Sequence, residues 1–243
     1  LTAYTKIHSV GAMVSDDPYT AARVAAAGRL SLSGAWDLAL ALLDGADPDG
    51  APEVRAQILV ERNWWCLDDP AAALAAVRAL PETSPQAAFL GAQLAYTRLL
   101  FGLQAQGGDE AVAEAGFRAA TEEPTTADWG TFWLGVLRQN IAEDEEAARP
   151  YFDEALVRCR ADGDLLLESY VVRHLSGYEP DPLPLLRRSL HLRAALGARP
   201  QVAAAQMTLW QELPEGPERD LMREAALSTA QELGLTWMLK FLD

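Results

Sequence analysis

One phrase recurs six times along this chain, and it restricts the possible folds more than any other feature. Each copy carries a turn residue, an acidic residue or proline, a small residue, a large apolar residue three or four later, and a second small residue. The copies span 34–46, 68–80, 108–120, 143–156, 180–190 and 216–227. The first small position falls at Ala39, Ala73, Ala113, Ala148, Pro182 and Glu218, at separations of 34, 40, 35, 34 and 36 residues. A unit of that length holds two helices and a turn. One helical pair leaves an apolar face uncovered, the next pair covers it, and stability becomes a nearest-neighbour sum.

Composition agrees with helices. Ala (44) and Leu (37) make up a third of the 243 residues, whereas Ile occurs three times. Ala and Leu favour helix and Ile favours strand, so a large sheet is excluded. Charged residues at 23% and hydrophobic ones at 50% are globular proportions. Caps, prolines and turn clusters predict helices near 2–13, 18–32, 35–45, 52–66, 70–80, 85–105, 109–121, 127–141, 144–161, 164–176, 182–196, 199–212, 217–233 and 235–242. Pro150 and Pro184 are expected in opening turns, where a missing N–H costs little. No linker interrupts the pattern, so residues 1–243 read as one domain.

Within this frame, Leu90-Gly91 and Leu134-Gly135, with Leu175-Ser176 as a weaker form, stand in the first helix of their units. The second helices carry small–large–small ladders at Ala39/Leu43/Ala46, Ala113/Phe117/Ala120 and Ala148/Phe152/Ala155. With these motifs the chain resembles the tetratricopeptide repeat family over nearly its whole length. The segments 155–176 and 189–210 are most similar to the repeats of large actinobacterial regulators. Pro182 and Glu218 depart from the small-residue rule. The resemblance implies an all-α, right-handed solenoid of about six helical hairpins with a short C-terminal capping helix. It also implies that the first helix of each hairpin lines a concave surface.

Lys and Arg total 20 against 35 Asp and Glu, a formal charge of −15. That field repels phosphate backbones and anionic lipid, so neither nucleic acid nor a membrane surface is an expected partner. No run approaches the roughly 18 apolar residues of a membrane span, and residues 1–14 lack the continuous apolar stretch of a signal peptide. Cys66 and Cys159 read as reduced thiols in a cytoplasmic protein. His8, His174 and His191 show no metal-ligand spacing, and no nucleophile elbow, phosphate loop or dinucleotide fingerprint occurs. The expectation is therefore no metal, no cofactor and no catalysis.

Seven tryptophans are the anomaly. Trp64 and Trp65 are adjacent, and Trp129, Phe132 and Trp133 cluster at helical spacing. Counting back from Ala73 puts Glu61 at the small position of its helix, which turns Arg55, Ile58, Arg62 and Trp65 toward the inner surface. Trp129, Phe132 and Trp133 extend that surface, and Tyr170 and Arg173 continue it. Arg55 and Arg62, two turns apart, would draw an anionic group on a partner. The family's Lys/Asn clamp for a C-terminal carboxylate maps to Val24, Gly28, Ile58 and Arg62, which cannot form it. The leading expectation is a non-catalytic module that binds a protein or peptide in an open groove. The alternative is a sensor enclosing a small molecule or signal peptide in a pocket of aromatic residues and Arg. A biosynthetic enzyme on a helical-repeat scaffold is a third.

Overall fold

A computed structural model describes residues 18–44, 52–68, 70–81 and 83–242. These residues form thirteen α-helices and one 3-10 turn, with no strand among them. The helices are α1 (Pro18–Leu32), α2 (Trp36–Leu43), α3 (Pro52–Cys66), α4 (Ala71–Arg78), α5 (Pro85–Phe101), α6 (Asp109–Thr121) and α7 (Ala127–Asn140). They continue as α8 (Glu145–Asp162), α9 (Leu165–Leu175), α10 (Leu183–Leu196), α11 (Arg199–Glu212), α12 (Pro217–Leu233) and α13 (Thr236–Leu242). The helix expected over 2–13 lies outside the described residues. No helix among them is long and apolar enough to cross a membrane.

Local chemistry sets the boundaries. Asp144 and Asp164 cap α8 and α9 by accepting from the N–H groups of Ala147 and Leu167, both at 2.9 Å. Helix α5 stops four residues short of the expected end. Gly102 takes the left-handed conformation there, and the Leu103 N–H returns to the Arg98 carbonyl at 3.0 Å. Pro150 sits in the second turn of α8, deeper than expected, where it costs one backbone hydrogen bond on an exposed face.

Each odd-numbered helix packs most closely on the even-numbered helix after it, and each pair then packs on the next. The ladders face these contacts: Ala113, Phe117, Ala148, Phe152 and Ala155 are all fully buried. Burying a Phe fully contributes on the order of 2–3 kcal/mol. Gly116 lets α6 settle onto α5, because a Cβ there would lie 2.6 Å from the Ala88 carbonyl oxygen. In the last pair the buried small residues are Ala226 and Ala230. Glu218, expected in the small position, is instead exposed and paired with Arg187 at 2.8 Å.

The two ends of the array share a core. Val24, Ala27, Trp36, Ile58 and Trp65 from α1–α3 cluster with Ala203, Met207, Ala226, Ala230, Met238 and Leu242 from α11–α13. Trp65 stacks on Trp237 with centroids 5.8 Å apart, and the Cys66 thiol points to the Leu233 carbonyl at 3.9 Å. Gly34, at φ +83°, brings the α1–α2 turn onto the end of α12. A Cβ at Gly34 would stand 2.7 Å from Leu233 Cδ1. Helix α13 thus meets α3 across this shared core.

Candidate functional site

Between these helices lies a partly open cavity of about 120 Å³. Every odd-numbered helix from α1 to α11 contributes to its wall, and no even-numbered helix does. Helix α1 supplies Leu32; α3 supplies Gln57, Val60, Glu61, Trp64 and Trp65; α5 supplies Phe89, Gln93 and Thr97. Helix α7 adds Trp129 and Trp133, α9 adds Leu166 and Tyr170 with its cap Asp164, and α11 adds Gln201.

The aromatic residues form a continuous wall. Trp64 stacks on Tyr96 with centroids 5.8 Å apart and meets Trp133 edge-on at 6.1 Å. Trp133 stacks in turn on Phe117 at 5.4 Å, and Trp129 meets Tyr170 edge-on at 5.6 Å. Edge-to-face and offset pairs of this kind contribute about 0.5–1.5 kcal/mol each beyond area burial. They hold the rings in fixed orientations around the cavity.

Two carboxyls stand in this wall. Glu61 accepts from Ser31 Oγ at 2.7 Å and from Gln201 Nε2 at 3.2 Å, so it links α1, α3 and α11. Burial pushes its carboxyl up to about 7, against the lowering effect of those two hydrogen bonds. Its residual exposure is to the cavity. Asp164 accepts from Trp129 Nε1 at 3.2 Å while capping α9, and burial raises its pKa too. Gln201 Oε1 is buried without a hydrogen-bond partner.

The buried cations stand outside the wall. Arg193 lies over the Tyr170 ring at 4.7 Å and donates to the Gln201 carbonyl at 2.8 Å; burial lowers its pKa to about 10. Arg173 donates to Thr208 Oγ1 at 3.3 Å. His174 stacks on Phe152 and shares a 2.6 Å hydrogen bond with Gln139; burial holds its pKa well below the usual value, so it stays neutral. Glu168 is buried too. Burial raises its pKa, but Arg188 and Arg160 outweigh that and keep it ionised. Cys159 and Cys66 are free thiols, buried and half-buried, pushed up to about 12 and 11 by burial. Among the described residues, no three His, Cys, Asp or Glu side chains are grouped to hold a metal.

Of the residues expected on the inner surface, Trp65, Trp129, Trp133 and Tyr170 line the cavity. Phe132 is fully buried in the core behind them, and Ile58 is fully buried in the core shared by the two ends. Arg173 stands off the wall. Arg55 and Arg62 are not brought to the cavity. Arg55 pairs with Asp44 at 2.5 Å, and Arg62 pairs with Asp37 at 2.6 Å and Asp68 at 2.9 Å. The inner stripe of α3 is Gln57, Val60, Glu61 and Trp64, at i, i+3, i+4 and i+7. This stripe sits one residue away from the face counted from Ala73, a rotation of about 100° at 3.6 residues per turn. The stripe's own spacing, ending on a tryptophan, was the signal for Glu61 and Gln57. Asp164 and Gln201 had no comparable signal. Compared with family models, with curated proteins and with solved structures, the chain matches none.

Proposed function

We propose that this chain is a non-catalytic binding module whose inner cavity takes a small organic molecule, acting as a sensor. In this reading its helical pairs are six tetratricopeptide-like hairpins in a right-handed solenoid, and α13 is the cap that closes the ring. The observation that carries it is the convergence of all six first helices on one aromatic-walled cavity. Pockets of this type, apolar with a few placed polar groups, are the usual form of small-molecule sites. Size favours a small molecule over a peptide or protein. One water needs about 10–15 Å³ of such room, so the cavity holds on the order of ten waters, the bulk of a small metabolite.

Filling the cavity tests the reading. Gln93→Trp places a ring into it from α5. Small molecules that raise the melting temperature of the wild type should leave that of Gln93→Trp unchanged. A partner bound equally well by both proteins would locate recognition on the outer surface and overturn the proposal.

A further inference from the structure

The cavity wall is selective in charge. Among the described residues it contains Glu61 and Asp164 and no Lys, Arg or His, although Lys and Arg total 20 in the chain. Glu61 is held by two neutral donors, Ser31 and Gln201, and has no ion-pair partner among the described residues. Arg62, next along α3, is committed to Asp37 and Asp68. From α9 the Tyr170 phenol lines the cavity, and burial keeps it protonated. Arg193, which acts on Tyr170, is not in the wall.

The remaining wall is unusually rich in π-faces. Trp64, Trp65, Trp129 and Trp133, four of the seven tryptophans, surround the space together with Phe89 and Tyr170. A tryptophan face attracts a cation through its ring quadrupole, by up to about 2 kcal/mol when water is excluded. Gln201, almost fully buried in the wall, offers a free acceptor at Oε1 beside the donor it gives to Glu61. Acceptors, carboxyls and π-faces share one preference. The −15 field of the whole chain enriches cations around it as well.

Resting on the reading of this cavity as a ligand site, we propose that its ligand is an organic cation, an ammonium centre bearing apolar groups, with Glu61 as its counter-ion. The aromatic wall takes the apolar groups, and the carboxylate replaces the lost hydration of the charge. This reverses the anionic partner expected from Arg55 and Arg62, whose guanidinium groups are satisfied elsewhere.

The probes are choline, its neutral analogue 3,3-dimethylbutan-1-ol and the similarly sized anion 3,3-dimethylbutanoate. Each is titrated into the whole chain at pH 8 and followed by tryptophan fluorescence and calorimetry. Choline should bind at least tenfold more tightly than the alcohol, and the anion most weakly. Glu61→Gln should weaken choline tenfold or more and leave the alcohol within about twofold. In the wild type, choline affinity should be flat above pH 7 and fall by up to about tenfold per pH unit below it, as Glu61 takes up a proton.

Equal binding of choline and alcohol, or tightest binding of the anion, overturns the cation proposal and leaves the cavity reading standing. Equal binding of all three by Gln93→Trp and the wild type removes the cavity reading itself. Binding of none overturns the proposal. Should Glu61→Gln fail to fold, the wild-type profile carries the same test, and choline affinity independent of pH between 5.5 and 8.5 overturns it.

Discussion

The middle of this array and its seam are built differently. From α5 to α8 the closest packing is between helices adjacent in sequence: Gly116 against Ala88 and Ala92, Phe117 against Phe89, Gly135 against Phe152. At the seam the contacts join residues far apart in the chain, Gly34 with Leu233, Trp65 with Trp237 and Glu61 with Gln201. The middle is held by fully buried apolar residues at fixed spacing. The seam has a buried apolar core too, with Ile58, Met238 and Leu242 fully buried, and adds the partly buried Trp237 ring and a polar node, Glu61 with Gln201, whose ionised form burial disfavours. The cavity lies between these two regions, and the seam carries the polar node.

The largest expected effect breaks the middle. Phe152→Ala removes a fully buried ring that touches Phe132 and His174, and should cost about 3–5 kcal/mol in urea unfolding. Trp237→Ala at the seam should cost less, about 1–3 kcal/mol, because the ring is only partly buried. It should also shift the emission of Trp65 to longer wavelength as its stacking partner is lost. A loss at Trp237 equal to that at Phe152 would erase the distinction between the two regions.

Glu61 sharpens the comparison through pH. Its carboxyl is raised from 4.5 to about 7, so the folded state holds the proton more tightly than the unfolded chain does. Its contribution is fully present below 4.5 and is lost as pH rises through 7. Glu61→Gln should therefore be more stable than the wild type at pH 8, by about 1–2 kcal/mol after allowance for its exposure to the cavity. At pH 4 the two should match. Thermal melts at both values check the sign. The smallest effect belongs to the outer charges: Arg62→Ala should change stability by less than about 1 kcal/mol, and it should leave choline binding as it was.

Legibility in the sequence follows the same division. Helices α1, α3, α6, α11 and α12 begin and end where prolines, glycines and acidic caps predict. The ladders at Ala113/Phe117/Ala120 and Ala148/Phe152/Ala155 are core, because a sequential array leaves its packing code in local periodicity. Four of the expected inner residues line the cavity for the same reason. Arg55 and Arg62 do not, because the count that puts Glu61 at a small position sets the face one residue away from the stripe that lines the cavity. The contacts between the two ends leave no periodic trace. Residues that meet across the seam, such as Glu61 and Gln201, are 140 positions apart, beyond the reach of any local periodicity.

Closure is the claim on which the cavity depends, and a distance across the seam measures it. Spin labels at Ser33→Cys and Gln231→Cys, in a Cys66→Ser, Cys159→Ala background, flank the Gly34–Leu233 contact. Pulsed dipolar spectroscopy of the closed ring should give one narrow distribution below about 25 Å. An open array of six hairpins, stepping about 8–10 Å per helix contact, would separate the labels by roughly 40 Å or more, and a population centred there would contradict the account.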